Sequence, residues 1–388
     1  MAALSGIRVA DFSRVLAGPY ATMILADFGA DVIKVESPEG DGTRQWSPPT
    51  NALGESTYFA SSNRGKRSIV LDLKDDQDLQ TAKDLAASAD VVIENFKPGT
   101  MQKFGLSYEE LSQLNPALVY CSISGFGDTK GANMPGYDLL VQAVGGLMSI
   151  TGQSDGEPSK VGVALVDILT GLNSVIGIQA ALRARDRAGS EQYGRGQHIK
   201  ISLLGSLLSG LANQAASTLE TGTPPQRMGN AHPSISPYET FATADQTLAL
   251  AVGTDAQFQR LTELLGAPEL AADTRFIHNP DRVANREALR DELEDKLKQQ
   301  PAQHWVEECG KNSIPAGRVN TIDQAIELAQ SLGIDAIAET TGYTDDGGTA
   351  SVKTIANPIH MSDTPAQYDL APPKKGEHQG AWWHKEEK

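Results

Sequence analysis

The chain has 388 residues, 40% apolar and 21% charged, which suits two domains or one large one with core enough to fold unaided. Its 33 basic side chains face 49 acidic ones, a net charge of -16, which excludes a general nucleic-acid binder because nothing supplies a cationic face. An anionic ligand therefore needs a local basic pocket. Cys121 and Cys309 lack CxxC or ligand spacing and suit core thiols in a reducing compartment. The segment Met1 to Arg8 has no basic stretch followed by an apolar one, and no run reaches membrane-spanning length without polar interruption. A cytoplasmic protein without membrane contact is expected. The histidines are scattered, with no HExxH pair, so no metal site is indicated.

In chain order, Arg8 to Phe12 reads as a strand, Ala17 to Phe28 as a helix ended by Gly29, and Asp31 to Glu36 as a second strand, a βαβ unit. The alternation continues with a strand over 68–73, a helix over 76–87 and a strand over 90–94. Short helices at 99–104 and 108–114 precede a strand over 118–123. This pattern predicts an α/β protein with an open, mostly parallel, Rossmann-like sheet whose ligands lie beyond the carboxyl ends of the strands. The segments Ser13 to Pro19, Glu94 to Gly99 and Ser122 to Gly127 fall at such ends. Apolar residues at helical spacing run from Val166 to Ala188, and a strand over 197–203 follows. Thr221-Gly222-Thr223-Pro224-Pro225 reads as a linker. Beyond it, strands at 240–242 and 247–252 and helices over 256–265 and 284–299 predict a smaller α+β domain. A hairpin around Asp345 to Gly348 comes after. The domains expected are residues 1–222 plus 340–388, and residues 223–339.

Asp167 is the single charge between Val161 and Gly171. A carboxylate in so apolar a run must neutralise, pair or accept hydrogen bonds. In the first turn of a helix, backbone amides and the helix dipole can hold it ionised. An N-terminal cap is the plainer reading of an Asp at such a place. Ser124-Gly125-Phe126-Gly127 does not complete GxGxxG, and GxxxxGK[ST] is absent, so the nucleotide-binding fingerprints fail.

Four segments together resemble the family III CoA transferases, of the formyl-CoA transferase and carnitine CoA-transferase type. They are Val9 to Phe12 leading to Ala17-Gly18-Pro19, Gly29 to Glu36, Glu94-Asn95-Phe96 with Pro98-Gly99, and Gly136-Tyr137-Asp138 leading to Gly162 through Asp167. Gly194 to Gln197, Asn230 to Pro233 with Pro237-Tyr238, and Asp273 to Phe276 agree as well, so the likeness runs through nearly the whole chain in order.

The resemblance implies an interlocked homodimer that moves CoA from an acyl-CoA donor to a small carboxylic acid. CoA is then a substrate, and no cofactor is permanently bound. It implies that Asp167 acts as the covalent nucleophile, through an aspartyl anhydride and an aspartyl-CoA thioester, with Tyr137 and Asp138 shaping the site. It places Val15, Leu16, Asn95 and Phe96 against the coenzyme, and Lys103 where relatives carry a phosphate-facing Arg. Ser37 replaces another basic residue of the family. Arg64, in the cationic cluster Asn63 to Ser68, offers charge to the phosphates, whereas Lys66 and Arg67 taken singly read as a solvated turn. The glycine-rich closing loop of some relatives is reduced to Gly253, and Gln379 to Lys385 depart from the family pattern, as though a final helix were missing. A 2-methylacyl-CoA racemase of the same fold is the rival, but its catalytic His would fall where Tyr137 stands, and Tyr is a poor base at neutral pH. A catalytically silent acyl-CoA-binding protein would have no use for the charge of Asp167.

Overall fold

The structure is a computed structural model and describes residues 2–384; Met1, and Lys385 of the divergent tail, lie outside them. By its internal contacts the chain forms two compact units, residues 1–147, 161–220 and 335–388, and residues 148–160 and 221–334. Residues 148–160, expected in the large domain, belong to the smaller unit. There Gly229 N–H donates to the Gly152 carbonyl at 3.0 Å, and Arg227 donates to the carbonyls of Gln153 and Gly156.

The large unit is built on β1 (Arg8–Asp11), β2 (Asp31–Glu36), β3 (Lys66–Val70), β4 (Val91–Glu94), β5 (Val119–Ser124) and β6 (His198–Ser202). These form one sheet in the order β3-β2-β1-β4-β5-β6, every pair parallel. The open parallel sheet expected from the alternation is therefore present, in the doubly wound arrangement whose strand order reverses between β1 and β4. Its helices are α1 (Ala17–Asp27), α2 (Thr57–Ala60), α3 (Asp76–Ser88), α4 (Thr100–Lys103), α5 (Tyr108–Leu114), α6 (Asp138–Val144), α7 (Leu147–Ile150, running into the smaller unit), α8 (Leu165–Asp186), α9 (Leu203–Gly210) and α10 (Ala212–Thr221, ending at the boundary). One apolar core, including Leu25, Val91, Val119, Val166 and Ile178, packs α1 and α8 on one face of the sheet. A second, including Phe12, Ile33, Leu85 and Tyr120, fills the other face.

At 22 residues α8 is long and apolar enough to cross a membrane by length and composition, although Asp167, Asn173 and Gln179 interrupt it as the sequence indicates. Here it packs on α1: a Cβ at Gly171 would stand 2.7 Å from the Ala17 carbonyl oxygen, so only glycine permits the approach. That crossing sets the first turn of α8 beside the loop that follows β1.

β3 starts two residues before the expected strand, because Lys66 and Arg67 are not a solvated turn. Lys66 is wholly buried and its ammonium donates to Asp11 at 3.2 Å, the Pro19 carbonyl at 2.9 Å and Asn63 at 2.9 Å. Arg67 pairs with Asp31 and donates to the Trp382 carbonyl. Both cations are in the strand because each has partners there. Arg64 likewise serves the fold: it is 2% exposed, makes a two-pronged pair with Asp27 at 2.8 and 2.7 Å, and donates to Thr354 and the Ile355 carbonyl. Those last two lie on the hairpin of β10 (Ile337–Tyr343) and β11 (Thr349–Ile355), which turns at residues 344–348 as the sequence indicates. The tail beyond it holds no helix through His384, yet Trp383 is buried on the second core and donates its indole N–H to Ser88 at 2.8 Å.

The smaller unit carries β7 (Tyr238–Ala242), β8 (Thr247–Ala251) and β9 (Ala316–Arg318) as an antiparallel sheet. Helices α11 (Asp255–Leu264), α12 (Asn279–Ala284), α13 (Arg286–Leu297), α14 (Ala302–Lys311) and α15 (Ile322–Ser331) complete it, around a core that includes Phe241, Phe258 and Trp305. The single Gly253 of the expected loop donates to Gln257 in the capping box that opens α11.

Removing one partner of a buried pair strands the other charge, at about 3–5 kcal/mol. Arg64→Met is expected to lower the unfolding free energy by that order in a urea titration, leaving Asp27 unpaired. A loss below about 1 kcal/mol would mean that the pair does not hold the hairpin to α1.

Candidate active site

In a doubly wound sheet the crevice lies where strand order reverses, outside the carboxyl ends of β1 and β4. A cleft of about 330 Å³ opens there, with Val15, Leu16, Asn95, Phe96, Tyr137 and Asp167 among its walls. Six of the expected site residues are thus brought to one cleft. Asp138 sits beside them at the start of α6. Lys103 is exposed on α4, outside the cleft, and Arg64 is committed to Asp27.

The loop after β1 is held by buried charge. Lys34, on β2, donates to the Ser13 carbonyl and to Asp41, each at 3.0 Å. Asp41 accepts the Val15 amide at 3.3 and 3.2 Å and caps the turn at Thr43. Val15 has φ of 68°, a left-handed conformation that a β-branched residue adopts only when its surroundings enforce it. Across the cleft Asn95 Oδ1 accepts the Arg14 amide at 2.8 Å and Asn95 Nδ2 donates to the Arg14 carbonyl at 2.7 Å, while the Arg14 guanidinium lies 4.7 Å from the centre of the Phe96 ring. The two loops are therefore one surface.

The glycines of Ser124 to Gly127 also have a structural reason. A Cβ on Gly125 would stand 2.5 Å from Gly136 Cα, so the backbones cross there, one residue before Tyr137. Tyr137 is 66% exposed and presents its ring to the cleft.

Asp167 is in the first turn of α8, but it is not the cap. The N-cap position is Ala164, which has no side chain to offer. Asp138 supplies the acceptor instead: its Oδ1 takes the Val166 amide at 2.8 Å, and its Oδ2 takes Gln142 Nε2 at 2.6 Å. Gln142 in turn accepts the Val161 amide at 2.9 Å. Asp167 is left without a hydrogen bond among the described residues, and burial first, then the Asp138 charge, pushes its carboxyl up to about 7.

Tyr58, which no sequence signal marked, shares this field. Burial, then the charges of Asp167, Asp138 and Asp41, push its phenol up to about 12, so it stays a neutral donor. Trp46 meets its ring edge-on at 4.8 Å, and Ser56 accepts the Tyr58 amide at 3.2 Å to start α2. The run Trp46 to Phe59 has no periodicity to betray it; the Ser56 cap is the one local cue. Among the described residues no three His, Cys, Asp or Glu side chains gather as a metal set.

Residues 4–379 match CoA-transferase family III. The chain is 47% identical to the succinate–glutarate CoA-transferase of Agrobacterium fabrum over 387 residues, covering 97% of this chain and 94% of that protein. It is 40% identical to the acetyl-CoA:oxalate CoA-transferase of Acetobacter aceti, covering 98% and 95% of the two. The crystal structure of a CAIB/BAIF family protein from Brucella suis is similar to it with a TM-score of 0.85 at 45% identity, covering 97% of each chain. The chain belongs to CoA-transferase family III. It is a CoA transferase.

A carboxyl whose folded pKa is raised favours the fold most when protonated, below its unfolded value of 3.8, and loses that advantage as pH rises through about 7. Asp167→Asn is therefore expected to stabilise the protein, with a gain that grows by roughly 2–3 kcal/mol between pH 5 and pH 8 in urea titrations. A gain equal at both pH values would mean that Asp167 is not an unpartnered acid.

Proposed function

We propose that this enzyme carries CoA from an acyl-CoA donor to a free carboxylic acid on Asp167. The observation that carries the reading is the Asp167 carboxylate itself, facing the cleft without a hydrogen-bond partner among the described residues while Asp138 takes over the cap of α8. A nucleophile must keep its lone pairs free, and a structural cap would not.

In the first step an Asp167 oxygen attacks the thioester carbonyl, the carbon–sulfur bond breaks and the CoA thiolate leaves, giving an aspartyl anhydride. The thiolate attacks the aspartyl carbonyl and releases the donor acid, leaving CoA on Asp167 as a thioester. The acceptor carboxylate attacks that thioester and expels the thiolate. The thiolate then attacks the acceptor's acyl carbon, forming the new acyl-CoA and freeing Asp167. No step consumes or releases a proton, so the transfer asks for no general acid or base. What each tetrahedral oxyanion needs is a neutral donor, and Tyr58, with its raised pKa, or Tyr137 is suited to supply one.

The coenzyme is assigned to the joined loops, with pantetheine along Val15, Leu16 and Asn95. Its adenine is assigned to an adjoining cavity of about 210 Å³ whose walls include Leu71, Leu73, Phe96 and Phe104, with Ser37 and Lys74. Lys103, next to Phe104, and Arg14 are the cations we assign to phosphate, and Arg64 is withdrawn from that role. The names of the relatives support a short dicarboxylic acid as acceptor, of the succinate, glutarate or oxalate kind. We further propose that the chain works as an interlocked homodimer in a reducing compartment. Exposed Leu172 and Ile176 on α8 and Leu208 on α9 offer apolar surface for a partner, and both cysteines are buried and free.

Asp167→Asn is expected to lower transfer from succinyl-CoA to glutarate by about 10³-fold or more while CoA binding persists in calorimetry. Loss of CoA binding together with turnover would favour a structural Asp167, and retained turnover would end the nucleophile assignment. In deuterated water the wild type should leave the α-proton of a 2-methylacyl-CoA in place; rapid exchange without acyl transfer would favour the racemase. A two-chain mass in solution is expected, and a monomer at micromolar concentration would contradict the dimer.

A further inference from the structure

A second cavity, of about 270 Å³, shares Phe96, Lys97 and Pro98 with the Asp167 cleft. Its most buried carboxyl is Glu94, the last residue of β4 and 8% exposed. Glu94 Oε2 accepts the Phe96 amide at 2.9 Å, and Ser122 lines the same cavity. Ser122 Oγ also lies 2.9 Å from His198 Nε2. The imidazole is fixed by Tyr108 and Tyr120, with ring centres 4.9 and 5.2 Å away. Glu94 has no place in the transfer steps, yet it holds the amide of Phe96.

We infer that Glu94 is a positioning residue for acyl-CoA: its ionised carboxylate fixes the Phe96 amide, and with it the Phe96 ring and the Asn95–Arg14 bridge that the coenzyme meets. The inference rests on the coenzyme placement proposed above. Phe96 is the common wall of all three cavities, so a shift of its amide is felt by each.

Burial pushes the Glu94 carboxyl up to about 7, against the hydrogen bond from the Phe96 amide, so its charge changes near neutral pH. The groups that face it leave that change uncompensated. From β5 come Tyr120 and Cys121, whose thiol burial pushes up to about 12; from β6 comes His198, which burial keeps low. Lys97 stands on the loop itself, and across the cavity are Glu109 and the Asp128–Lys200 pair at 2.7 Å. No ion pair holds Glu94 among the described residues. A charged acceptor makes a stronger bond than a neutral one, so the loop is fixed more firmly, and CoA bound more tightly, as pH rises through about 7.

The test is CoA affinity by calorimetry at pH 6 and pH 8, with KM and kcat, for the wild type, Glu94→Gln, Glu94→Ala and Phe96→Ala. The 3′-phosphate of CoA also titrates near pH 6, so the slope of Glu94→Gln, which has no charge to lose, is the reference. The wild type should gain about fivefold more affinity than Glu94→Gln over this range, and Glu94→Ala should bind about tenfold more weakly at pH 8, with KM rising more than kcat falls. Phe96→Ala should bind weakly at both pH values. Equal slopes in wild type and Glu94→Gln, with Phe96→Ala still weak, would overturn the role of Glu94 and leave the coenzyme placement standing. Unchanged affinity in Phe96→Ala would overturn the placement itself. Should Glu94→Ala fail to fold, the near-isosteric Gln variant decides the question alone.

Discussion

A carboxylate kept at a helix start with nothing bonded to it among the described residues is the constraint around which the large unit is arranged. First-turn amides invite any nearby carboxylate to cap them, and Asp167 escapes that fate because Asp138, from another helix, reaches the Val166 amide first. Gln142 then ties Asp138 to the Val161 amide, so the approach to α8 is held from outside. Asp167 is left poorly solvated, without a partner among the described residues and beside a like charge, the conditions that raise a carboxyl and suit the nucleophilic role proposed for it.

The opposite wall follows the reverse rule, with every buried charge satisfied. Lys34 and Lys66 sit under the sheet edge beside Asp11 and Asp41, and each cation also donates to a backbone carbonyl near the start of α1. Burial alone would raise Asp11, but Lys66 and Lys34 bring it below the ordinary carboxylate range. The result is a rigid frame for Val15, whose backbone angle is unfavourable by about 1–3 kcal/mol and persists because Asp41 takes its amide. A strained loop on one side and an unpartnered acid on the other place the site's instability where chemistry can use it.

Much of this was legible in the sequence, and the misses share a cause. β2 and α5 were readable to the residue, β2 because a local pattern follows a local stop at Gly29. The Asp in the apolar run pointed to the site, and the strand ends pointed to the loops that wall it. The start of β3 was hidden because Lys66 and Arg67 look solvated until Asp11 and Asp31 are brought to them. Arg64 looked like a phosphate ligand for the same reason. Asp138 as the cap of α8 is a contact across 28 residues that no window contains, and the field of Asp167 at Tyr58 arises through folding alone. The helices α9 and α10 were missed where a Leu- and Ser-rich run gave little amphipathic contrast to separate strand end from helix start.

The most direct measurement is to incubate the enzyme with an acyl-CoA alone, quench with hydroxylamine and map the modified peptide by mass spectrometry. An aspartyl thioester or anhydride is converted to a hydroxamate at its own carbonyl, so the account predicts a single modified residue, Asp167, only when acyl-CoA is present. Turnover with an unmodified Asp167, or with the label on another carboxylate, would contradict it.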